Sequence, residues 1–178
     1  MLECERVYLN TEHQKKMVLN QASEHFNEKT ISELDGILTV HHPGVDENDI
    51  VKRINTNPDR TIVFNHRPDT YKNYNGFIKT MDALWTQKQD FNVRVPLLKG
   101  KPNRPYLNND SGDADFYYER LKSCLVGFSP KQEYGGWSVA TTDGMMNGVP
   151  YIMFDDNYYH ELYDPSLTPT QKTPQNGD

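Results

Sequence analysis

The residues best suited to chemistry in this sequence are two cations that follow a short apolar run. Arg67 and Lys72 lie within segment 65–73, directly after the apolar residues 61–65 and before a helical pattern. At the end of a strand and the start of a helix, free backbone N–H groups already favour an anion. A guanidinium holds a phosphate through a planar fork, and an ammonium holds it as a point charge. The pair would therefore suit two phosphates, although solvated loop cations account for the pattern equally well.

A second segment, 128–138, combines glycines with polar side chains. Gly135 and Gly136 precede a helical pattern, so the backbone can approach a ligand closely and present free N–H groups. Glu133 lies in this loop and Asp143 lies on the helix that follows, where their carboxylates could accept hydrogen bonds from sugar and ribose hydroxyls. Taken alone, the segment is better explained by a glycine-rich turn with a solvated glutamate and an aspartate on a polar helix face.

The elements that must position these residues alternate between short apolar runs and helical stripes. This alternation predicts right-handed βαβ units and a parallel sheet covered on both faces, so we expect an α/β, Rossmann-like fold. In such a sheet, ligands bind outside the carboxyl ends of the strands, where both segments would lie. The predicted strands are 61–65, 91–98, 124–128 and 150–154, and the predicted helices are 73–88, 114–123 and 137–147.

The first 44 residues do not fit the start of this series. A strand at 5–9, a helix from Thr11 and a strand at 36–41 are predicted, with Thr11 and Gln14 at capping-box spacing. We therefore expect 1–44 to be the tail of a preceding acceptor-side domain plus a linker, and 45–163 to be the main domain. Residues 164–178 are rich in proline and have little to bury, which predicts a flexible tail.

Composition excludes several classes of function. The net charge of −6 disfavours a nucleic-acid-binding surface, because phosphate contacts require clustered Lys and Arg. Cys4 and Cys124 are the only cysteines and predict neither a disulfide framework nor a zinc site. No apolar run is long enough to cross a bilayer, and no secretion signal is present at the N-terminus. A reducing cytoplasm is the expected location.

The two segments occur in an order that is more specific than either segment alone. A strand is followed by His-Arg-x4-Lys and a helix, and much later by Ser-Pro-x2-Glu-Tyr-Gly-Gly-Trp-Ser and Asp-Gly-Met-Met-Asn-Gly-Val-Pro. This pattern resembles the C-terminal, donor-binding domain of retaining glycosyltransferases with the GT-B fold, of the glycosyltransferase family 4 type. The segment His-His-Pro-Gly-Val-Asp at 41–46 is also similar to the interdomain segment of that family. The resemblance covers roughly residues 5–163.

The resemblance implies a role for each matching residue. Arg67 and Lys72 would hold the donor diphosphate and stabilise charge on the leaving group without a metal, so that the sugar is transferred with retention. Glu133 would face the donor sugar and Asp143 would bind the ribose hydroxyls. The block Gly135, Gly136, Trp137 and Ser138 would line the donor, which we expect to be a UDP- or GDP-sugar. These expectations define a hexosyltransferase, with Arg67, Lys72 and Glu133 as its catalytic residues.

Three positions depart from the family pattern or have a second explanation. Glu133 and Asp143 are ten residues apart, whereas the family spaces its two glutamates eight apart, so Gly135 is the alternative occupant of the first position. Asp143 replaces a glutamate and has a shorter reach. Tyr106 lies in the polar loop 99–112, near the expected position of the base, where it could stack on the base or pack on its own loop.

The resemblance also predicts what else the protein needs. The acceptor is bound mainly by the N-terminal domain in this family, and the chain contains at most the last strand and helix of such a domain. We therefore expect a fragment that is inactive or weakly active alone. The alternative is a noncatalytic α/β binding or interaction module. An Asp-x-Asp sequence at 113–115 is better explained by helix capping than by a metal site.

Overall fold

A computed structural model of the protein describes residues 4–44, 58–109, 112–132, 135–155 and 157–162. Residues 4–44, called the N-terminal unit below, contain two parallel strands that pair with each other in a separate two-stranded sheet. Thr11 begins the first helix of this unit, and its hydroxyl oxygen accepts the N–H of Gln14, as the capping spacing predicts. The elements of the unit are β1 (Val7–Leu9), α1 (Glu12–Ser23), α2 (Glu28–Ile37) and β2 (Leu38–Val40).

The main part of the protein is a five-stranded sheet in which every pairing is parallel. Helices connect three of the four pairs of successive strands in this sheet, and the predicted α/β, Rossmann-like fold is confirmed. The strand order is β5-β4-β3-β6-β7, so β3 lies at the centre. The strands are β3 (Asp59–Val63), β4 (Asn92–Arg94), β5 (Leu107–Asn108), β6 (Cys124–Ser129) and β7 (Tyr151–Met153). The helices are α3 (Tyr74–Gln87), α4 (Ala114–Ser123) and α5 (Val139–Met146).

Two apolar clusters cover the two faces of this sheet. Phe64 and Val63 are neighbours in the chain and belong to different clusters, because successive side chains of a strand point to opposite faces. Phe77 of α3 stacks on Phe64 at a centroid distance of 4.7 Å in the first cluster. Leu121 of α4 packs with Val63 in the second. The sheet is thus held between α3 on one face and α4 on the other.

Several predicted boundaries are wrong for identifiable reasons. Residues 36 and 37 belong to a second helix, α2, whose N-cap Asn27 accepts the N–H of Thr30, so the strand begins only at Leu38. The short strand β5 lies inside the predicted loop 99–112. It was not predicted because a strand of two residues is too short to show an alternating hydrophobic pattern. The predicted helix from Thr11 ends at Ser23, and Phe26 lies beyond its end and is 58% exposed.

Parts of the predicted domain organisation lie outside the described residues. These parts are segment 45–57, where the main domain was expected to begin, and the predicted flexible tail at 164–178. Within the described ranges, no helix has both the length and the apolar character required to span a membrane.

Candidate functional site

The loops that follow β3 and β6 meet at one point of the sheet. From β3 the chain proceeds outwards through β4 and β5, whereas from β6 it proceeds in the opposite direction to β7. Such a reversal of strand order opens a crevice at the carboxyl ends of the two central strands. Two side-chain contacts join the loops across this crevice. His66 Nε2 lies 2.9 Å from Ser129 Oγ, and Lys72 Nζ lies 2.6 Å from Gln132 Oε1.

The two predicted cations lie at this crevice in different environments. Lys72 ends the 3-10 turn Thr70–Lys72, just before α3, and is half-buried. Arg67 has a side chain that is 67% exposed, with Nε 3.5 Å from a carboxylate oxygen of Asp69. Its Nη2 donates to the hydroxyl of Tyr71 at 2.5 Å, and the same tyrosine ring lies 5.0 Å from Lys72 Nζ. Tyr71 therefore lies between the two cations.

The charge of Lys72 is disfavoured where it lies. Burial lowers the pKa of Lys72 below its ordinary value, and the nearby charge of Arg67 lowers it further, while Asp69 acts in the opposite direction. Two cations held close together, one of them partly desolvated, raise the free energy of the folded protein at this point. An anion bound between them would stabilise both charges.

A line of buried hydrogen bonds runs beneath the crevice. Thr141 Oγ1 donates to Ser138 Oγ, so the 3.0 Å contact between Ser129 and Thr141 must use the hydrogen of Ser129. Ser129 then accepts from Nε2 of His66, which places the proton of the neutral imidazole on Nε2. Burial, assisted by the charge of Lys72, lowers the pKa of His66 to about 3. His66 is thus a neutral hydrogen-bond donor at physiological pH.

Asn65 joins the end of β3 to three other elements. Its Nδ2 donates to the hydroxyl of Tyr117 on α4 at 3.0 Å and to the carbonyl of Ala140 on α5 at 2.5 Å. Its Oδ1 accepts the hydroxyl of Tyr151 on β7 at 2.9 Å. Burial raises the pKa of Tyr117 to about 12, so its hydroxyl remains protonated. These bonds fix the first residues of α5 relative to the central strand.

A cavity of about 460 Å³ opens next to this junction, on the side of α4 and α5. Burial raises the pKa of Asp143, which lines the cavity, and no described residue donates a hydrogen bond to its carboxylate. The predicted ribose ligand therefore faces a space that can hold a small molecule. The other lining residues are Asn65, Arg94, Pro96, Leu97, Gly112, Asp113, Ala114, Tyr117, Tyr118, Arg120, Val139 and Ala140.

The glycine block that precedes α5 contacts other parts of the protein. A Cβ on Gly135 would lie 3.0 Å from the Tyr158 ring and 3.5 Å from Gln132 Oε1, so Gly135 lies beside the acceptor of Lys72. A Cβ on Gly136 would lie 2.7 Å from Cδ of Gln14 in the N-terminal unit. A larger residue at either glycine would have to displace these neighbours.

The next two residues of the block are also occupied by protein contacts. The ring of Trp137 packs against His42 at a centroid distance of 5.8 Å. Ser138 is the N-cap of α5, and its side chain accepts the N–H of Thr141 at 3.2 Å. Trp137 therefore joins the loop to the N-terminal unit, and Ser138, expected to contact the nucleotide sugar, is a buried residue whose side chain caps α5.

One predicted site residue does not lie at the crevice. Tyr106 is 1% exposed and packs between Trp85 and Phe91, while its hydroxyl donates to Asp82 at 2.5 Å. The prediction that Tyr106 stacks on a base is wrong, because the first apolar cluster covers the ring.

Two further predictions concern acidic residues. Glu133, expected to face the donor sugar, lies outside the described residues. Asp113 caps α4 by accepting the N–H of Phe116 at 2.9 Å, which confirms the capping explanation of the Asp-x-Asp sequence. Within the described ranges, no group of three His, Cys, Asp or Glu side chains is arranged as metal ligands would be.

Sequence reasoning missed several side chains that shape the site. Gln132 and Tyr159 contact each other at 2.7 Å and are fully buried beneath the crevice, and Ser129 and His66 are buried beside them. Only their positions in the sequence could have indicated His66 and Ser129, because both residues lie at the ends of neighbouring central strands. Tyr159 comes from the 3-10 turn Asn157–Glu161, which is remote in sequence.

Comparison with known proteins does not assign the chain to a family. No family model matches it, and no curated protein shows significant sequence similarity to it.

Proposed function

We propose that this protein binds the nucleotide diphosphate of a UDP- or GDP-sugar and acts as the donor-binding part of a retaining glycosyltransferase of the hexosyltransferase type. One observation carries the proposal. Two neighbouring cations, Arg67 and Lys72, follow the central strand at the switch point of a parallel sheet, and Asn65, which follows the end of the same strand, lines a cavity of about 460 Å³. The proposal agrees with the resemblance of the loops to the glycosyltransferase family 4 type.

The positive charge supports binding of a diphosphate. Lys72 donates to the neutral amide of Gln132, so this contact does not cancel its charge, and Arg67 extends an exposed guanidinium beside it. A diphosphate would accept hydrogen bonds from both groups and relieve the repulsion between them. The same contacts would strengthen as negative charge develops on the leaving group, which is the condition for accelerating transfer.

The cavity supports binding of a nucleoside next to the diphosphate. Its lining includes the rings of Tyr117 and Tyr118 and the carboxylate of Asp143. A half-buried carboxylate without a donor among the described residues would accept the two ribose hydroxyls, which offset its desolvation. Asn65 lines the cavity and is followed by His66 and Arg67, so a ligand could extend directly from the cavity to the cations.

Thermal unfolding in the presence of UDP, GDP and their glucose conjugates tests this proposal. We expect at least one of these nucleotides to raise the melting temperature, because a ligand that binds only the folded state stabilises it. The double substitution of Arg67→Ala and Lys72→Ala should weaken nucleotide binding by at least about a hundredfold, since two charge-assisted bonds are lost.

The double substitution of Arg60→Ala and Lys122→Ala is the matched control. It removes the same charge from two surface ion pairs, with Asp90 and Glu119, outside the crevice. Equal loss of binding in both double variants would show a general charge effect and contradict the diphosphate site. Absence of any shift with all four nucleotides would overturn the proposal and favour the noncatalytic module.

A further inference from the structure

We propose that Gln132 and Tyr159 are positioning residues for Lys72, and that they hold its ammonium at the crevice without neutralising it. This inference depends on the diphosphate site proposed above, and it assigns the residues that prepare that site. Gln132 is 1% exposed, and its side chain bridges Lys72 and Tyr159.

The amide of Gln132 can take only one orientation between these neighbours. Its Oε1 lies 2.6 Å from Lys72 Nζ, which carries hydrogens and requires an acceptor. If the amide were flipped, its NH2 group would face that ammonium, and two donors would oppose each other. Lys72 therefore fixes one end of the amide.

Tyr159 fixes the other end through the hydrogen bonds of its hydroxyl. Ser129 gives its hydrogen to Thr141, so the 2.8 Å contact between Ser129 and Tyr159 must use the hydrogen of Tyr159. The carbonyl of Pro130 lies 3.2 Å from the same hydroxyl, so the single hydrogen of Tyr159 is shared between Ser129 and Pro130. Tyr159 Oη can then only accept from Gln132, whose Nε2 lies 2.7 Å away. A directional series of bonds, from Gln132 through Tyr159 and Ser129 to Thr141, thus leaves Gln132 Oε1 facing Lys72.

A neutral acceptor suits this position better than a carboxylate would. A glutamate at 132 would hold Lys72 through an ion pair, but its negative charge would oppose a diphosphate at the same place. An apolar side chain would leave the lysine free to sample many rotamers, and binding would then cost the entropy of ordering it. The amide restrains the ammonium and leaves its charge for the ligand.

Two substitutions at one position separate positioning from a general structural role. Gln132→Met and Gln132→Glu should each weaken nucleotide-diphosphate binding about tenfold, measured by calorimetry with UDP and GDP. The pKa of Lys72, measured by NMR on labelled lysine without nucleotide, should change in opposite directions. It should fall in Gln132→Met, because an acceptor is lost, and rise in Gln132→Glu, because a carboxylate favours the ammonium.

Tyr159→Phe extends the test to the second residue. It removes the hydroxyl that accepts from Gln132 and should weaken nucleotide binding about threefold. Tyr106→Phe is the matched control, because it removes another buried tyrosine hydroxyl bond, to Asp82, remote from the crevice. The control should leave nucleotide binding and the pKa of Lys72 unchanged.

The outcomes distinguish this inference from the proposed function. Normal nucleotide binding by both Gln132 variants, or a pKa of Lys72 that moves in the same direction in both, would overturn the positioning role alone. If Gln132→Met does not fold, an unchanged affinity of Tyr159→Phe for UDP and GDP would likewise overturn the positioning role alone. If the unaltered protein binds no nucleotide diphosphate, both the inference and the proposed function are wrong.

Discussion

Helices α1 and α2 of the N-terminal unit bury none of their residues, whereas α3 of the five-stranded sheet buries Phe77, Ile78 and Met81. The main sheet has an apolar cluster on each face, and the described part of the N-terminal unit belongs to neither. This difference indicates that the two parts are stabilised by different kinds of contact.

Polar contacts attach the N-terminal unit to the main sheet. The Glu161 carboxylate accepts the N–H groups of Glu12 and His13 at 2.8 and 3.0 Å, which satisfies donors at the start of α1. Trp137 packs on His42, and Gly136 packs against Gln14, in the loop that precedes α5. The loop that precedes α5 therefore contacts both parts of the protein, and the N-terminal unit helps to hold one side of the candidate site in place.

The largest expected difference between the parts concerns apolar burial. Phe77→Ala should lower the free energy of unfolding by about 3–5 kcal/mol, because it removes a fully buried ring that stacks on Phe64. Leu19→Ala in α1 should cost only about 1 kcal/mol, since that side chain is half-buried. Urea unfolding of both variants measures the two values. Equal costs would contradict the proposed difference between the parts.

A smaller effect is expected from the pH dependence of the main sheet. Because the pKa of His66 is about 3 in the folded protein, against an ordinary value of 6.5, the unfolded chain takes up the proton first as pH falls. The contribution of neutral His66 to the free energy of unfolding is complete above pH 6.5 and is lost as pH falls towards 3. Between pH 6.5 and 4.5 the free energy of unfolding should fall by roughly 2–3 kcal/mol through this residue.

Urea unfolding at pH 7 and pH 4.5 measures this effect. His66→Gln removes the titrating group and should lose less stability between the two pH values than the unaltered protein. His25→Gln, which changes an exposed histidine of the N-terminal unit, is the matched control. The explanation is wrong if both variants change the pH dependence to the same extent.

The smallest expected effect concerns the junction between the parts. Glu161→Gln weakens two charge-assisted bonds to the start of α1 and should cost about 1 kcal/mol locally, which corresponds to about fivefold faster hydrogen exchange at Glu12 and His13. Glu119→Gln, an exposed residue paired with Lys122, is the control. Unchanged exchange in Glu161→Gln would show that other contacts hold α1 in place.

Local patterns were sufficient to predict the main elements of the fold. The helix predicted at 73–88 corresponds to α3, which buries Phe77, Ile78 and Met81, because a helix that packs on a sheet repeats its buried residues every three to four positions. Caps at Thr11 and Asp113 were also predicted, since a cap depends on residues only three apart. The short strand β5 was missed because only its backbone pairing with β4 defines it, whereas helix α2 was missed although Asn27 and Thr30 have capping spacing.

For the candidate site, local sequence was enough to predict which cations follow the central strand, since the strand end places Arg67 and Lys72 at the carboxyl edge of the sheet. Other residues that surround these cations come from distant segments, and their placement depends on how the chain packs. Gln132 approaches Lys72 from a loop 60 residues away, and the covered ring of Tyr106 shows that a polar loop can contribute a core residue. Spacing along the chain specifies position within an element, whereas hydrogen-bond direction and burial depend on how the elements pack.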